Sequence, residues 1–213
     1  MSELLVDTPE GSARTTTSTP SEAGLGTLVL GHGAGGLRWT KDVLAVRDEA
    51  VTAGWTVVLV DQPWRVAGRR LGPAPPILDR AWRAVLDSVH GSGHDGRLVV
   101  GGRSAGARVA CRTAADVGAD AVVALSFPLH PPGRPDRSRA GELALPGAAG
   151  IRVHVIQGRS DPFGGPDDVA AALPAGSTVD AVAGTHSLGG SATRVAALVV
   201  ARLTTPAVAG PPA

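Results

Sequence analysis

The stretch Val99-Val100-Gly101-Gly102-Arg103-Ser104-Ala105-Gly106-Ala107-Arg108-Val109-Ala110 changes its local preference at one residue. Leu98 to Val100 are aliphatic or β-branched and run into glycines, whereas Ala107 to Ala115 are mostly good helix formers, so a strand passes into a helix at Ser104. Gly102-x-Ser104-x-Gly106 at such a junction is a nucleophile-elbow pattern. The serine there must occupy a strained turn with its hydroxyl exposed, and glycine two positions to either side removes side chains that would strike neighbouring backbone. A helix beginning just after Ser104 also points free N–H groups and the positive end of its dipole at any oxyanion formed on that hydroxyl.

Outward from the elbow, strand and helix patterns alternate. Thr27 to Leu30, Trp55 to Val60, Ala121 to Phe127, Arg152 to Gln157 and Thr178 to Val182 read as strands. Asp42 to Thr52, Ile77 to Val89, Pro166 to Leu173 and Ala192 to Leu203 read as helices. The fold class is therefore α/β, with a mostly parallel central sheet covered by helices on both faces and no large cap domain. Residues 1–26 read as a small hairpin around Pro9-Glu10-Gly11 or as a loose segment, 27–205 as one domain, and 206–213 as a fraying tail. Val66 to Pro76 reads as a loop. Between Pro128 and Gly150 there are five prolines, and only Gly141 to Leu145 offers one helical turn, so this segment reads as irregular. Such a segment cannot supply a mobile amphipathic lid, which predicts a shallow, open site for small soluble substrates.

At 213 residues the chain is long enough to bury a core without a staple. The one cysteine, Cys111, excludes an internal disulfide, fits a reducing compartment and reads as a buried structural thiol. Twenty Lys and Arg against nineteen Asp and Glu, a net charge of +1, give no footprint for nucleic acid or an acidic membrane surface. No apolar run reaches the length of a spanning helix and no leader pattern is seen, so a soluble, cytoplasmic protein is expected. The composition gives no sign of oligomeric state. Arg65, Arg69 and Arg70, with Arg134, Arg137 and Arg139, read as a solvated, salt-paired face rather than as a cradle for an anionic substrate.

An activated serine needs a base, and the base needs an orienting acid. Asp161 follows the strand ending at Gln157, and His186 follows the strand ending at Val182; the order Ser104, Asp161, His186 is the α/β-hydrolase order. His130 is a rival base, but it precedes the acid candidate and abuts Pro131-Pro132. The glycine run Gly31-His32-Gly33-Ala34-Gly35-Gly36 also matches G-x-G-x-x-G, and Asp61 ends the next strand where a ribose-binding acid would sit. A nicotinamide-dinucleotide oxidoreductase is thus an alternative, although the chain has no tyrosine for the common short-chain reductase chemistry and that reading leaves Ser104, Asp161 and His186 unused. As an oxyanion loop, the same run offers the backbone N–H of Ala34, with Gly35 as a second choice, to act beside that of Ala105.

His32-Gly33-Ala34-Gly35-Gly36, Gly68-Arg69-Arg70, Gly101 to Arg108, Pro128 to Gly133 and Gln157 to Gly164 together resemble a small α/β-hydrolase near the dienelactone-hydrolase-like branch. More closely, the sequence is similar to bacterial hydrolases grouped with the testis-expressed and non-specific-lethal-complex hydrolase-like proteins. The resemblance implies the α/β-hydrolase fold and carries a triad onto Ser104, Asp161 and His186. Dienelactone hydrolases proper use a cysteine nucleophile, so their substrate does not carry over. The expected function is hydrolysis of a carboxylic ester or thioester of a small-molecule acyl substrate through an acyl-serine, with no cofactor and no metal. A catalytically silent binding or scaffold protein of the same fold is the other alternative.

Overall fold

The computed structural model describes residues 1–22, 24–35, 38–93 and 96–204. The expected tail over 206–213 and Gly36 of the glycine run lie outside them. Among the described residues one sheet contains β1 (Ser2–Thr8), β2 (Gly11–Ser18), β3 (Gly26–Gly31), β4 (Trp55–Asp61), β5 (Arg97–Arg103), β6 (Ala121–Leu125), β7 (Arg152–Gly158) and β8 (Thr178–Val182). Their order is β1-β2-β4-β3-β5-β6-β7-β8. The strands from β3 to β8 are mutually parallel, while β1 and β2 form an antiparallel hairpin that extends the sheet along β4. The helices are α1 (Lys41–Thr52), α2 (Pro63–Val66), α3 (Pro75–Gly91), α4 (Ala105–Thr113), α5 (Ala140–Ala148), α6 (Pro166–Ala172) and α7 (Ala192–Thr204).

The near-continuous apolar strands follow from burial on both faces, since successive side chains point to opposite sides. Leu28 and Leu30, Val57 and Leu59, and Val123 and Leu125 meet Val43 and Val46 of α1 and Val195 and Val199 of α7. The intervening Val29, Val58, Val60, Val100 and Val122 meet Trp82, Val85 and Leu86 of α3 and Ala107 and Ala110 of α4. From β3 the chain goes to β4 on one side, and β5 flanks β3 on the other. That reversal leaves a crevice above the carboxyl ends of β3 and β5, the place where open α/β sheets hold ligands.

Two local expectations need correction. The segment before β7 is not irregular throughout, because α5 runs for nine residues with Pro146 inside it. Pro146 costs the helix the i→i−4 bond to the Glu142 carbonyl, but only near its C-terminal end, and tertiary contacts fix the helix: Leu143 is fully buried, and Glu142 pairs with Arg108 and Arg112 of α4. The proposed loop Val66 to Pro76 is also shorter. Its flanks are helical, with α2 ending at Val66 and α3 starting at Pro75, a residue suited to a helix start by its fixed φ and missing N–H. Among the described residues no large cap is inserted.

Candidate active site

Ser104 sits between β5 and α4 with φ 53° and ψ −108°, a conformation that costs a non-glycine residue roughly 1–3 kcal/mol. The turn is held by the bond from Ser104 N–H to the Leu125 carbonyl, 2.9 Å, and by that from Arg108 N–H to the Ser104 carbonyl, 3.2 Å. Glycine is required on both sides for lack of space, since a Cβ on Gly102 or Gly106 would run into the carbonyl of Gly31 on β3.

The three candidates meet at the carboxyl ends of β5, β7 and β8. His186 Nε2 is 2.9 Å from Ser104 Oγ, and His186 Nδ1 is 2.9 Å from Asp161 Oδ2 and 3.2 Å from Oδ1. The tautomer that satisfies both contacts carries its proton on Nδ1, donates it to Asp161 and leaves Nε2 to accept the serine proton. Asp161 is buried, at 5% exposure, and its carboxylate is held from two further directions. The Phe163 N–H donates to Oδ1 at 2.9 Å, and Gln157 Nε2 donates to Oδ2 at 3.0 Å. Phe163 also lies against the imidazole, with ring centroids 4.2 Å apart. Such an arrangement suits a nucleophilic hydroxyl activated by an oriented base.

An alpha/beta hydrolase domain model matches residues 25–205. The chain belongs to the alpha/beta hydrolase family. Among solved structures, this hydrolase is similar to an alpha-beta serine hydrolase homologue from Coxiella burnetii at 18% identity and TM-score 0.78, covering 95% of this chain and 97% of that one. An a/b serine hydrolase without lid from Xanthomonas campestris matches at 20% identity and TM-score 0.71, covering 97% and 96%. The esterase domain of a Rhodothermus marinus protein matches at 14% and 0.71, covering 94% and 96%. No curated protein matches the chain.

The glycine run of this hydrolase folds against the elbow. A Cβ on Gly33 would come within 3.6 Å of the Ser104 Cβ. His32 Nδ1 lies 2.8 Å from the Gly33 carbonyl, and His32 Nε2 accepts the Gln62 N–H at 3.1 Å. Both bonds fit an imidazole with its proton on Nδ1. Burial lowers the His32 pKa to about 4, so the ring stays neutral. In a trans peptide the Gly33 C=O and the Ala34 N–H point in opposite directions, so the His32 bond also sets the direction of the Ala34 N–H. The sequence alone assigns His32 no role within that run. Gln157 and Arg103 were likewise unassigned; a glutamine inside an otherwise apolar buried strand is the one signal that could have singled out Gln157.

Ala34 and Ala105 border the same cavity of about 230 Å³, walled also by Trp64, Trp82, Leu78 and Val109. The rival His130 makes a different set of contacts: its Nδ1 is 2.9 Å from the Pro131 carbonyl, and its main-chain N–H bonds the Phe163 carbonyl. Asp61, the alternative ribose-binding acid, is paired with Arg65 at 3.1 Å, and burial raises its pKa. Arg65 is buried at 7% exposure and stacks over Trp39, so it does not belong to a solvated face, whereas Arg134 pairs with Asp136 in the open as expected. Cys111 is fully enclosed, and burial pushes its thiol up to about 12, which suits a structural role. Among the described residues no group of three or more His, Cys, Asp or Glu is gathered as a metal site would need, and no helix is long and apolar enough to cross a membrane.

Proposed function

We propose that this protein is a serine hydrolase of the dienelactone-hydrolase-like branch, cytoplasmic, cleaving a carboxylic ester or thioester of a small soluble substrate through an acyl-Ser104 intermediate. The observation that carries the reading is the unbroken hydrogen-bonded line Asp161, His186, Ser104, with contacts of 2.9 Å on both sides of the imidazole. The serine hydrolase and esterase descriptions of similar structures support it further.

In this mechanism Ser104 Oγ attacks the acyl carbon as His186 Nε2 takes its proton. The carbonyl oxygen becomes an oxyanion, stabilised by the N–H groups of Ala34 and Ala105, the latter at the positive end of α4. Collapse of the tetrahedral species expels the alcohol or thiol, which receives the proton from His186. Water, activated by the same base, then releases the acid. Asp161 keeps the proton on Nδ1 and stabilises the imidazolium.

A fluorophosphonate should label the wild-type protein and not Ser104→Ala, and that variant should lose on the order of 10⁶-fold in kcat. His186→Ala should be nearly as damaging and His130→Ala mild. Turnover by Ser104→Ala near the wild-type rate would defeat the mechanism.

A further inference from the structure

Asp161, Pro162, Phe163 and Gly164 form one tight turn beside the base. The Gly164 N–H donates to the Asp161 carbonyl at 3.2 Å, and Pro162, with its fixed φ, takes the position that such turns favour for it. The turn is held from outside as well: the His130 N–H donates to the Phe163 carbonyl at 3.0 Å, and Gln157 Nε2 donates to the Gly164 carbonyl at 2.8 Å. Two side chains of this turn meet His186. The Asp161 carboxylate lies 2.9 and 3.2 Å from Nδ1, and the Phe163 ring lies 4.2 Å from the imidazole, centroid to centroid, with the planes 35° apart. Carboxylate and ring are coupled, because the Phe163 N–H donates to Asp161 Oδ1 at 2.9 Å. Resting on the acyl-Ser104 reading, we infer that Phe163 is a positioning residue for the base, whose ring holds the plane of His186 and favours the imidazole in its charged form.

Two hydrogen bonds do not fix an imidazole. Contacts at Nδ1 and Nε2 pin its nitrogens, to Asp161 and to Ser104, and leave the ring free to tilt about the line that joins them. A tilt swings the Nε2 lone pair away from the serine proton, and small errors of orientation at the reacting groups are costly in rate. An aromatic face laid against the ring removes that freedom. At 35° the two planes are nearer parallel than perpendicular, so the imidazole meets the electron-rich face of Phe163 and not its positive edge. When His186 takes the Ser104 proton the ring becomes an imidazolium, and a cation within about 6 Å of an aromatic centroid is drawn to its face. The gain arises only as the proton moves, so it lowers the barrier and does not tighten substrate binding. Phe163 is itself half-buried, and the imidazole face that it covers is closed to water. A leucine at this position would keep an apolar cover and lose the aromatic face.

The test compares Phe163→Leu, which keeps an apolar cover without a ring, with Phe163→Tyr, which keeps the ring. The readouts are the rate of fluorophosphonate labelling of Ser104, kcat and KM on p-nitrophenyl acetate, and the low-field proton NMR signal of His186 Nδ1–H, identified by its loss in His186→Gln. Phe163→Leu should lower the labelling rate and kcat by about tenfold with KM within about twofold, and Phe163→Tyr should stay within about threefold of wild type in all three. The Nδ1–H signal should weaken through faster exchange with water in Phe163→Leu and persist in Phe163→Tyr. Phe163→Met takes the place of the leucine variant if circular dichroism shows that the latter is unfolded. Wild-type labelling with an unchanged Nδ1–H signal in Phe163→Leu, a loss in Phe163→Tyr as large as that in Phe163→Leu, or a rise in KM at constant kcat would each overturn the assignment. A wild-type protein that is neither labelled nor cleaves the ester would sink the hydrolase reading instead, and the Nδ1–H signal alone would then decide whether Phe163 holds the imidazole.

Discussion

Arg103 Nη2 donates to the main-chain carbonyl of His186 at 2.6 Å, so the residue before the proposed nucleophile holds the loop that carries its base. The same guanidinium lies 3.5 Å from Asp42 of α1, a carboxylate only 1% exposed. At that separation the pair is an ion pair without a hydrogen bond, and among the described residues neither Asp42 oxygen has a hydrogen-bond partner. One side chain thus joins the elbow, the base loop and α1.

Arg103→Met should act in two separable ways. It leaves Asp42 buried and unpaired, a defect that costs roughly 3 kcal/mol in comparable buried pairs, and it releases the His186 loop, which should cut kcat by about 10- to 100-fold. Adding Asp42→Asn removes the stranded charge and should recover much of the stability without recovering kcat. Urea unfolding and turnover on the two single variants and the double variant test this; recovery of both quantities together would show that Arg103 serves stability alone.

Gln157 is the other support of the proposed triad. Its Nε2 reaches Asp161, the Gly164 carbonyl at 2.8 Å and the Phe127 carbonyl at 3.2 Å, while its Oε1 accepts the Phe127 N–H at 2.9 Å. The side chain is fully buried. Gln157→Leu keeps much of the volume but leaves those backbone groups unpaired, so a loss of roughly 3 kcal/mol is expected. Asp161 then loses one of the donors that aim it, and kcat should fall about tenfold with KM little changed. A variant with lowered stability and wild-type kcat would remove Gln157 from the positioning of Asp161.

The elbow, the alternation of strands and helices around it and the chain order of Ser104, Asp161 and His186 were legible because each is a local pattern: glycines where backbone crowds, apolar runs where both faces are buried, polar residues just past strand ends. What the sequence hid was set by contacts distant along the chain. The extent of α5 depends on Leu143 burial and on Glu142 meeting Arg108 and Arg112 more than 29 residues away, so counting prolines underestimated it. Arg65, read as exposed, is drawn inside by Asp61 and Trp39. His32, Arg103 and Gln157 were harder to single out, since many of the bonds they make go to main-chain groups, which any residue could supply.

Acid should destabilise the fold before its carboxylates titrate. Burial lowers both His32 and His154 from 6.5 to about 4, with Arg202 and Arg152 adding to the effect at His154. Between those values the unfolded chain binds protons that the native protein refuses, so stability rises with pH there and is lost as pH falls from about 6.5 towards 4. Each histidine contributes up to about 2 kcal/mol of that loss by pH 4.5, at 1.36 kcal/mol per pKa unit and with allowance for partial solvation. Asp61 opposes the trend, because a carboxyl whose native pKa is raised by burial takes up its proton earlier in the folded state. His154 is the cleaner of the two to change, since it lies on β7, away from the oxyanion loop, with Nδ1 3.0 Å from Thr178 Oγ1. His154→Gln should hold its pH 7 stability to within about 1 kcal/mol, as expected for losing one modest hydrogen bond, and should show about half the wild-type drop in urea midpoint between pH 7 and pH 4.5. A wild-type midpoint that stays flat over that interval, or a His154→Gln drop equal to the wild type, would mean that these imidazoles are protonated in the native protein.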